Sequence, residues 1–236
     1  MMNLTYGRCR RGCSIHHTSH HKQHIFSMKS FHETRGRLIA VYYTFIEGTV
    51  DRMVARGFTP NAITLASLGV SILSALCYAF GLIFPGGLFL LLSGILDTMD
   101  GAVARRSGQS SRFGALLDST LDRVAEFFVF FGLLVYYLGT WIFFAALLAM
   151  MGSIMVSYVK ARGESLGSIR IVGLMQRPER LLVLAAGSLL NTPLKIVCSG
   201  SPDCILSASI VLLALLTNVT VIHRLMACKK DFETKG

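Results

Sequence analysis

The stretch LDTMDGAVARRSGQSSRFGALLDSTLDRV, residues 96–124, decides which fold and chemistry this sequence predicts. It carries Asp97, Asp100, Asp118 and Asp122 between hydrophobic runs long enough to cross a bilayer. Carboxylates are costly inside a membrane, so an acidic cluster there indicates a functional site. On a helix, residues three or four apart share a face, which pairs the first two aspartates and the last two. Two helix ends that each offer two carboxylates are suited to binding hard divalent cations.

The composition indicates a membrane protein. Hydrophobic residues make up 53% of the 236 residues and charged residues only 15%, which is unlike a soluble globular domain. The formal net charge of +10 is therefore attributed to Lys and Arg residues that face the cytoplasmic side of a membrane. Nucleic acid is excluded as a partner, since aromatic residues do not interleave with the basic ones as in a stacking platform. The six cysteines show no disulfide-framework spacing and are predicted to be mainly free thiols.

The chain is predicted to have three parts. Residues 1–27 are rich in His, Arg and Cys, lack an apolar core and are predicted to be a disordered tail. Zinc binding by this tail stays open, although its spacing matches no standard site. Residues 28–58 contain apolar side chains at helical spacing and predict an amphipathic juxtamembrane helix in the interface plane. Residues 59–236 form the predicted membrane domain.

The predicted fold class is all-α: a polytopic membrane protein with six transmembrane helices preceded by the amphipathic interfacial helix. Each apolar run is near the ~20 residues that cross the hydrocarbon core. The predicted spans cover approximately residues 61–84, 87–105, 112–138, 140–162, 178–192 and 204–228.

The charge of the connecting segments predicts the orientation. FPGG (residues 84–87) and LGTW (residues 138–141) carry no charge, whereas the connections after the second and fourth spans are rich in arginine, and both termini are basic. The positive-inside rule therefore predicts a cell-membrane protein with both termini and the aspartates on the cytoplasmic side. From Gly87 to Asp97 a helix rises about 15 Å, half of the ~30 Å core. The aspartates are therefore expected to face an interhelical cavity within the cytoplasmic leaflet.

The spacing of the cluster carries a family resemblance. The ordered pattern is Asp100-Gly101-x-x-Ala104-Arg105, eight residues, Gly114, three residues, Asp118, three residues and Asp122. Asp97 precedes it by one helical turn. The pattern resembles the complete signature of the CDP-alcohol phosphotransferase family, and the resemblance extends over nearly all of the chain from about Met28 onward.

The resemblance implies roles for these residues. The implied metal ligands are Asp97, Asp100, Asp118 and Asp122. Asp122 also resembles the general base that takes the proton of the attacking hydroxyl. The implied CDP-binding residues are Asp100, Gly101, Arg105, Gly114 and Asp118. The family forms homodimers, so a homodimer is expected.

The chemistry agrees with these roles. Two metal ions stabilise both the attacking and the leaving oxygen in phosphoryl transfer, and ligands that are all oxygen select Mg²⁺ or Mn²⁺. Glycines without side chains let a nucleotide approach the helix backbone closely.

A second stretch, SYVKARGESLGSIRIVGLMQRPERL at residues 157–181, resembles the phosphatidylinositol-phosphate synthase branch of the family. That branch uses inositol phosphate as the acceptor, together with a CDP-lipid donor, and needs fixed cations for the acceptor phosphate. The residues that match its acceptor-phosphate pocket are Ser157, Lys160, Arg177, Arg180 and Arg224. Basic residues at cytoplasmic helix ends are also expected from topology alone.

Several alternatives stay open. The acceptor could be glycerol 3-phosphate, serine or free inositol, and the lipid arm could be diacylglycerol or an ether lipid. A small membrane carrier would use the acids as relays, but it would spread them through the membrane depth rather than cluster them on one side. Glu126, one turn after Asp122, is interpreted as a salt-bridge partner of a neighbouring helix end rather than as a proton route.

Overall fold

The computed structural model describes residues 47–168, 175–193 and 203–235. The chain forms two compact units, residues 1–49 and residues 50–236. Of the first unit, only the last three residues are described. The predictions for residues 1–27, and for most of residues 28–58, therefore lie outside the described residues.

All the regular secondary structure in the described ranges is helical, which confirms the all-α prediction there. Residues 47–55 form a helical segment. The helices that follow are α1 (Pro60–Ala79), α2 (Ile83–Ser107), α3 (Arg112–Tyr136), α4 (Ile142–Ser165), α5 (Arg177–Asn191) and α6 (Cys204–Lys235).

The turn between α1 and α2 lies earlier than the sequence predicts. FPGG, residues 84–87, is part of the beginning of α2 rather than a connection. The chain reverses at Gly81, whose φ of 74° is the left-handed conformation that glycine adopts readily. Pro85 is tolerated because the first N–H groups of a helix have no intrahelical acceptor. As a result α2 rises about 21 Å, not 15 Å, between its first residue and Asp97.

The helices pack in two groups, which are joined by α5 and by a contact between α3 and α4. In the first group α1 packs against both α2 and α3, and in the second α4 packs against α6. Helix α5 contacts α2 and α6, while α3 contacts α4. This packing brings together the end of α2, the beginning of α3 and the beginning of α5. The polar residues of the sequence motifs meet there, at the side that the sequence predicts to face the cytoplasm.

Two of the helix contacts depend on glycine. A Cβ atom on Gly132 of α3 would lie 2.2 Å from the backbone oxygen of Ala75 in α1. A Cβ atom on Gly152 of α4 would lie 2.3 Å from the hydroxyl oxygen of Thr217 in α6. Neither distance is compatible with a side chain, so both helix pairs approach more closely than any other residue would allow.

Gly132→Ala is expected to lower the melting temperature of the detergent-solubilised protein. The clashing atom belongs to the backbone of α1 and cannot rotate away, and overpacking of this kind costs about 1–3 kcal/mol. Gly69→Ala is the matched control, because nothing lies within 4 Å of a Cβ atom there. A thermostability assay by size-exclusion chromatography measures both variants, and equal melting temperatures would contradict the close α1–α3 approach.

The described helices fit a multi-pass membrane protein. Four of them are long and apolar enough to cross a bilayer, namely Pro60–Ala79, Ile83–Ser107, Ile142–Ser165 and Cys204–Thr234. Large apolar side chains such as Leu65, Phe144 and Leu215 are exposed on these helices, as expected for a surface in contact with lipid. Helix α3 carries the charged motif, and α5 has only 15 residues, so neither meets the same criterion.

The described cysteines include both free thiols and one disulfide-bonded residue. Cys77 and Cys228 are free thiols, as expected. Cys204, at the first position of α6, is disulfide-bonded. Spacing alone could not reveal this bond, because a disulfide depends on how the chain brings two side chains together.

Candidate functional site

Three of the four motif aspartates form one carboxylate group. Carboxylate oxygens from Asp97, Asp100 and Asp118 all lie within 4.8 Å of one another. The first two residues come from α2 and the third from α3. Between them Gly108 ends α2 in the left-handed conformation, and the Ser111 side chain begins α3 by accepting a hydrogen bond of 2.9 Å from the N–H of Gly114. This short turn brings the two acidic helix ends together.

Asp100 is held by a residue that the sequence reasoning missed. Asp100 is buried, and its Oδ2 accepts a hydrogen bond of 2.7 Å from the hydroxyl of Thr64 in α1. The sequence TPNAIT predicts only a helix start at this position. The available signal was that Asn61 and Thr64 lie three residues apart at the beginning of an apolar helix and so share a face.

Thr64→Val is expected to weaken Mn²⁺ binding by about tenfold or more, because second-shell partners that orient a ligating carboxylate typically contribute 10–100-fold to affinity. Thr120→Val is the control, since the Thr120 hydroxyl is exposed and bonds only within α3, to the carbonyl of Leu116. Mn²⁺ titration followed by the electron paramagnetic resonance of the free ion measures both. Equal affinities in the two variants would rule out an orienting role for Thr64.

A cavity of about 180 Å³ opens between α1, α2 and α3 on one side of the carboxylate group. We call it the α1–α3 cavity. All five residues that the family resemblance assigns to CDP binding line it: Asp100, Gly101, Arg105, Gly114 and Asp118. Pro60, Asn61 and Thr64 of α1 also line it. Gly101 and Gly114 contribute only backbone atoms to this wall.

A larger cavity of about 430 Å³ opens between α3, α4, α5 and α6. We call it the α3–α6 cavity. The residues matched to an acceptor-phosphate pocket all line it: Ser157, Lys160, Arg177, Arg180 and Arg224. Asp122 also lines it, together with Arg123 and Glu126. The candidate base and the candidate acceptor residues therefore share one cavity.

Asp122 lies beside the carboxylate group but outside the set of three carboxylates that are mutually within 4.8 Å, and its carboxyl group contacts that of Asp97. It pairs with Arg177 at the beginning of α5, at 2.9 Å between Oδ1 and Nη1. The same Nη1 atom lies 2.5 Å from Oδ2 of Asp97. One guanidinium nitrogen thus bridges an aspartate of the group and the candidate base. The sequence predicts all four aspartates as metal ligands, and the structure groups three of them directly.

Arg180 forms a buried, two-pronged ion pair with Glu126. The contacts are 2.8 Å from Nε to Oε1 and 3.1 Å from Nη2 to Oε2. Nη1 of Arg180 also donates to the carbonyl of Met175 at 3.2 Å. The interpretation of Glu126 as a salt-bridge partner of a neighbouring helix end is therefore confirmed, and Arg180 is a fixed part of the cavity wall.

Arg224 is buried without an acidic partner in the part of the chain that the structure describes. It is 3% exposed, and its Nη1 donates to the carbonyl of Val156 at 2.7 Å. Its Nε has no hydrogen-bond partner among the described residues. A buried cation that lacks an anion is strongly unfavourable, so this guanidinium is well placed to accept an anionic ligand in the α3–α6 cavity.

Lys160 and Ser157 lie one helical turn apart on α4. Lys160 is exposed, and its Nζ is 4.0 Å from the carboxylate of Glu164, which leaves the ammonium group only weakly held. The Ser157 hydroxyl lies 3.4 Å from Nη2 of Arg180. The α3–α6 cavity thus combines an exposed, weakly paired cation with buried ones.

The residues present fit a divalent metal ion. The donor set of Asp97, Asp100 and Asp118 consists of oxygen alone, which is the set that Mg²⁺ and Mn²⁺ prefer. Asp100 is 4% exposed, and Thr64 fixes its orientation. When bound, such an ion neutralises charge on phosphate oxygens and polarises the phosphorus.

In the described residues, helices long and apolar enough to cross a membrane carry a carboxylate group between two polar cavities, which fits the class of metal-dependent enzymes acting on membrane substrates. The comparison with known families makes this specific. Residues 58–226 match the family model described as CDP-alcohol phosphatidyltransferase. The chain therefore belongs to the CDP-alcohol phosphatidyltransferase family, whose members are transferases.

Curated relatives come from bacteria and archaea. The phosphatidylinositol phosphate synthase of Mycobacteroides abscessus is 40% identical over 144 residues, which cover 59% of this chain and 66% of that protein. The archaetidylinositol phosphate synthase of Methanothermobacter thermautotrophicus is 36% identical over 182 residues, which cover 77% of this chain and 87% of the relative.

Solved structures share the fold. The Mycobacterium tuberculosis phosphatidylinositol phosphate synthase with CDP-DAG bound has a TM-score of 0.69 and 30% identity, covering 78% of this chain and 92% of that one. A second structure of that enzyme, in complex with manganese and citrate, also has a TM-score of 0.69 at 30% identity. The relatives thus include a protein seen with a CDP-lipid and with a divalent metal.

Proposed function

We propose that this chain transfers a lipid phosphate from a CDP-lipid to inositol phosphate, forming a phosphatidylinositol phosphate and CMP. The family supports the reaction class, and relatives named phosphatidylinositol phosphate synthase and archaetidylinositol phosphate synthase support the acceptor. The observation that carries the choice of a phosphorylated acceptor is Arg224, a buried guanidinium without a described acidic partner on the cavity that also contains Asp122.

The α1–α3 cavity is the proposed nucleotide side of the site. Asp100, Gly101, Arg105, Gly114 and Asp118 bind the CDP group there, with the arginine compensating phosphate charge and the glycines permitting close approach. Asp97, Asp100, Asp118 and Asp122 are the proposed ligands of Mg²⁺ or Mn²⁺ in a two-metal site. Asp122 faces the other cavity and is at the same time the proposed base.

The α3–α6 cavity is the proposed acceptor side. Ser157, Lys160, Arg177, Arg180 and Arg224 hold the acceptor phosphate, with the Glu126 pair keeping Arg180 in the wall. Bound this way, the acceptor presents a hydroxyl to Asp122, which takes its proton. The hydroxyl oxygen forms a bond to the β-phosphorus of the CDP-lipid. The bond from that phosphorus to the bridging oxygen breaks, and CMP leaves with the electron pair.

A panel of acceptors tests this function. Purified protein with Mn²⁺ is given CDP-diacylglycerol or its ether analogue, and CMP release is measured with inositol phosphate, glycerol 3-phosphate, serine and free inositol. Inositol phosphate is expected to support the highest kcat/KM. A higher value with another acceptor would overturn the acceptor assignment, and the two donors distinguish the diacyl from the ether lipid arm.

A non-enzymatic membrane carrier is the competing function. It predicts uptake of substrate into liposomes without CMP release, whereas the transferase predicts CMP release from a CDP-lipid. The concentration of the carboxylates at one region, rather than through the membrane depth, supports the transferase.

The membrane arrangement is part of the proposal. Six transmembrane helices cross the membrane, preceded by an amphipathic interfacial helix in residues 28–58, with a tail in residues 1–27 and the membrane domain in residues 59–236. Both termini and the site face the cytoplasm, and the protein forms a homodimer. The disulfide of Cys204 supports this orientation, because α6 begins at the opposite face, and disulfides persist in oxidising compartments.

A further inference from the structure

We propose that Arg177 is shared between the two cavities: Asp97 and Asp122 hold it until a divalent ion binds these carboxylates, and it is then released to the acceptor phosphate. Metal binding would thereby prepare the acceptor site. This inference rests on the proposed function, because it needs a phosphorylated acceptor in the α3–α6 cavity.

The position of one atom supports the first half of the proposal. Nη1 of Arg177 lies 2.5 Å from an oxygen of Asp97 and 2.9 Å from an oxygen of Asp122. Asp97 also belongs to the group of carboxylates suited to a metal ion. A guanidinium group and a divalent cation compete for the same negative charge. Asp97 therefore binds Arg177 more weakly when it also binds a metal ion.

The incomplete bonding of Arg177 supports the second half. Its side chain is only 20% exposed, and its buried Nε has no hydrogen-bond partner among the described residues. Arg177 also lines the α3–α6 cavity. A guanidinium group with an unused donor beside a cavity suits an incoming phosphate, which accepts two parallel N–H bonds from arginine.

The other arginines of the cavity are bound differently. Arg180 is fixed by Glu126, and Arg224 donates to a backbone carbonyl. Arg123 donates from Nη1 to the carbonyl of Ser119 in its own helix. Among the ion pairs of the described residues, those of Arg177 are the ones that reach the motif aspartates. Arg177 also lies at the first position of α5, where the helix dipole does not favour a cation.

The first test measures metal binding without turnover. Full-length Arg177→Gln in detergent is titrated with Mn²⁺, and free Mn²⁺ is followed by electron paramagnetic resonance. We expect affinity about fivefold or more above wild type, within the usual range of coupling between sites. Arg123→Gln removes the same charge from the same cavity without a contact to the aspartates, and we expect its Mn²⁺ affinity to stay within about twofold of wild type.

The second test measures the coupling itself. Inositol phosphate binding is measured by calorimetry with and without Mn²⁺, in the absence of any CDP-lipid. Because coupling between two binding sites is reciprocal, Mn²⁺ is expected to strengthen inositol phosphate binding by about tenfold in wild type and by about twofold or less in Arg177→Gln. Arg177→Lys keeps a cation, so its Mn²⁺ affinity is expected to lie between those of wild type and Arg177→Gln, and it remains informative if the glutamine variant does not fold.

The outcomes separate this inference from the proposed function. If wild type releases CMP with inositol phosphate but Arg177→Gln binds Mn²⁺ no more tightly than wild type, the sharing of Arg177 is wrong and the function stands. The sharing of Arg177 is also wrong if Mn²⁺ strengthens inositol phosphate binding as much in Arg177→Gln as in wild type. If wild type releases no CMP with any acceptor, the proposed function itself fails.

Discussion

Asp122→Asn is expected to lower the rate of CMP release by a factor of about 10²–10⁴, the usual contribution of a positioned general base. The change keeps the size of the side chain and its ability to accept a hydrogen bond from Arg177, but the amide cannot take a proton and is a weaker metal ligand than a carboxylate. CDP-lipid binding is expected to stay near wild type, because Asp122 lines the α3–α6 cavity and is not among the residues that line the α1–α3 cavity.

Two further substitutions complete this experiment. Asp100→Asn alters a residue of the α1–α3 cavity that Thr64 orients, so it is expected to weaken CDP-lipid binding as well as the rate. Asp51→Asn removes an acid that is 52% exposed and paired with Arg106, and no change in either quantity is expected. CMP release at saturating acceptor and equilibrium binding of CDP-lipid are the two measurements. A wild-type rate in Asp122→Asn would show that another group takes the proton.

The carboxylate group was predictable because its spacing is a local property of helices. Residues three or four apart share a helix face whatever the rest of the chain does. The proximity of Asp97 to Asp100 therefore follows from the sequence alone. Their meeting with Asp118 follows from a short turn between two helices. The pairing of Asp122 with Arg177 was not predictable, since it depends on where α5 packs against the other helices.

The turn before α2 shows why glycine and proline are ambiguous signals. FPGG has the composition of a connection, yet proline also suits the first turn of a helix. In the structure this segment belongs to the first turns of α2. The residue that reverses the chain is Gly81, identified by its positive φ. Only the backbone conformation distinguishes a connection from a helix start. In the structure α2 begins about one turn earlier than the sequence predicts.

The basic residues illustrate a different limit. The positive-inside rule places arginines at cytoplasmic helix ends whether or not they bind a ligand, so sequence alone cannot separate the roles of Arg180 and Arg224. Tertiary structure separates them by their partners. One is neutralised by Glu126, and the other has no acidic partner in the described part of the chain.

This difference predicts that Arg180→Ala and Arg224→Ala have unlike effects on thermal stability. The first substitution leaves the buried carboxylate of Glu126 unpaired and is expected to destabilise the protein by about 3–5 kcal/mol. The second removes a buried charge that forms no ion pair with any described residue, and it leaves no unpaired carboxylate behind. Its melting temperature without ligand is expected to equal or exceed that of wild type.

The effect on acceptor binding is expected to be large for Arg224→Ala. Loss of one partner of a buried charged hydrogen bond typically costs 2–5 kcal/mol, which corresponds to a KM for inositol phosphate raised by about 30-fold or more. The KM for free inositol, which has no phosphate, is expected to change little. Inositol phosphate is expected to raise the melting temperature of wild type but not that of Arg224→Ala.

Two controls connect the stability changes to their causes. Glu126→Gln combined with Arg180→Gln removes both charges of the pair, and it is expected to be more stable than Arg180→Gln alone because no unpaired charge remains. Lys160→Ala removes an exposed cation of the same cavity, so the KM for inositol phosphate is expected to rise without a change in melting temperature. If Arg224→Ala destabilised the protein as much as Arg180→Ala, Arg224 would have to be a structural residue with an anionic partner in the protein, and the case for a phosphorylated acceptor would lose its main support.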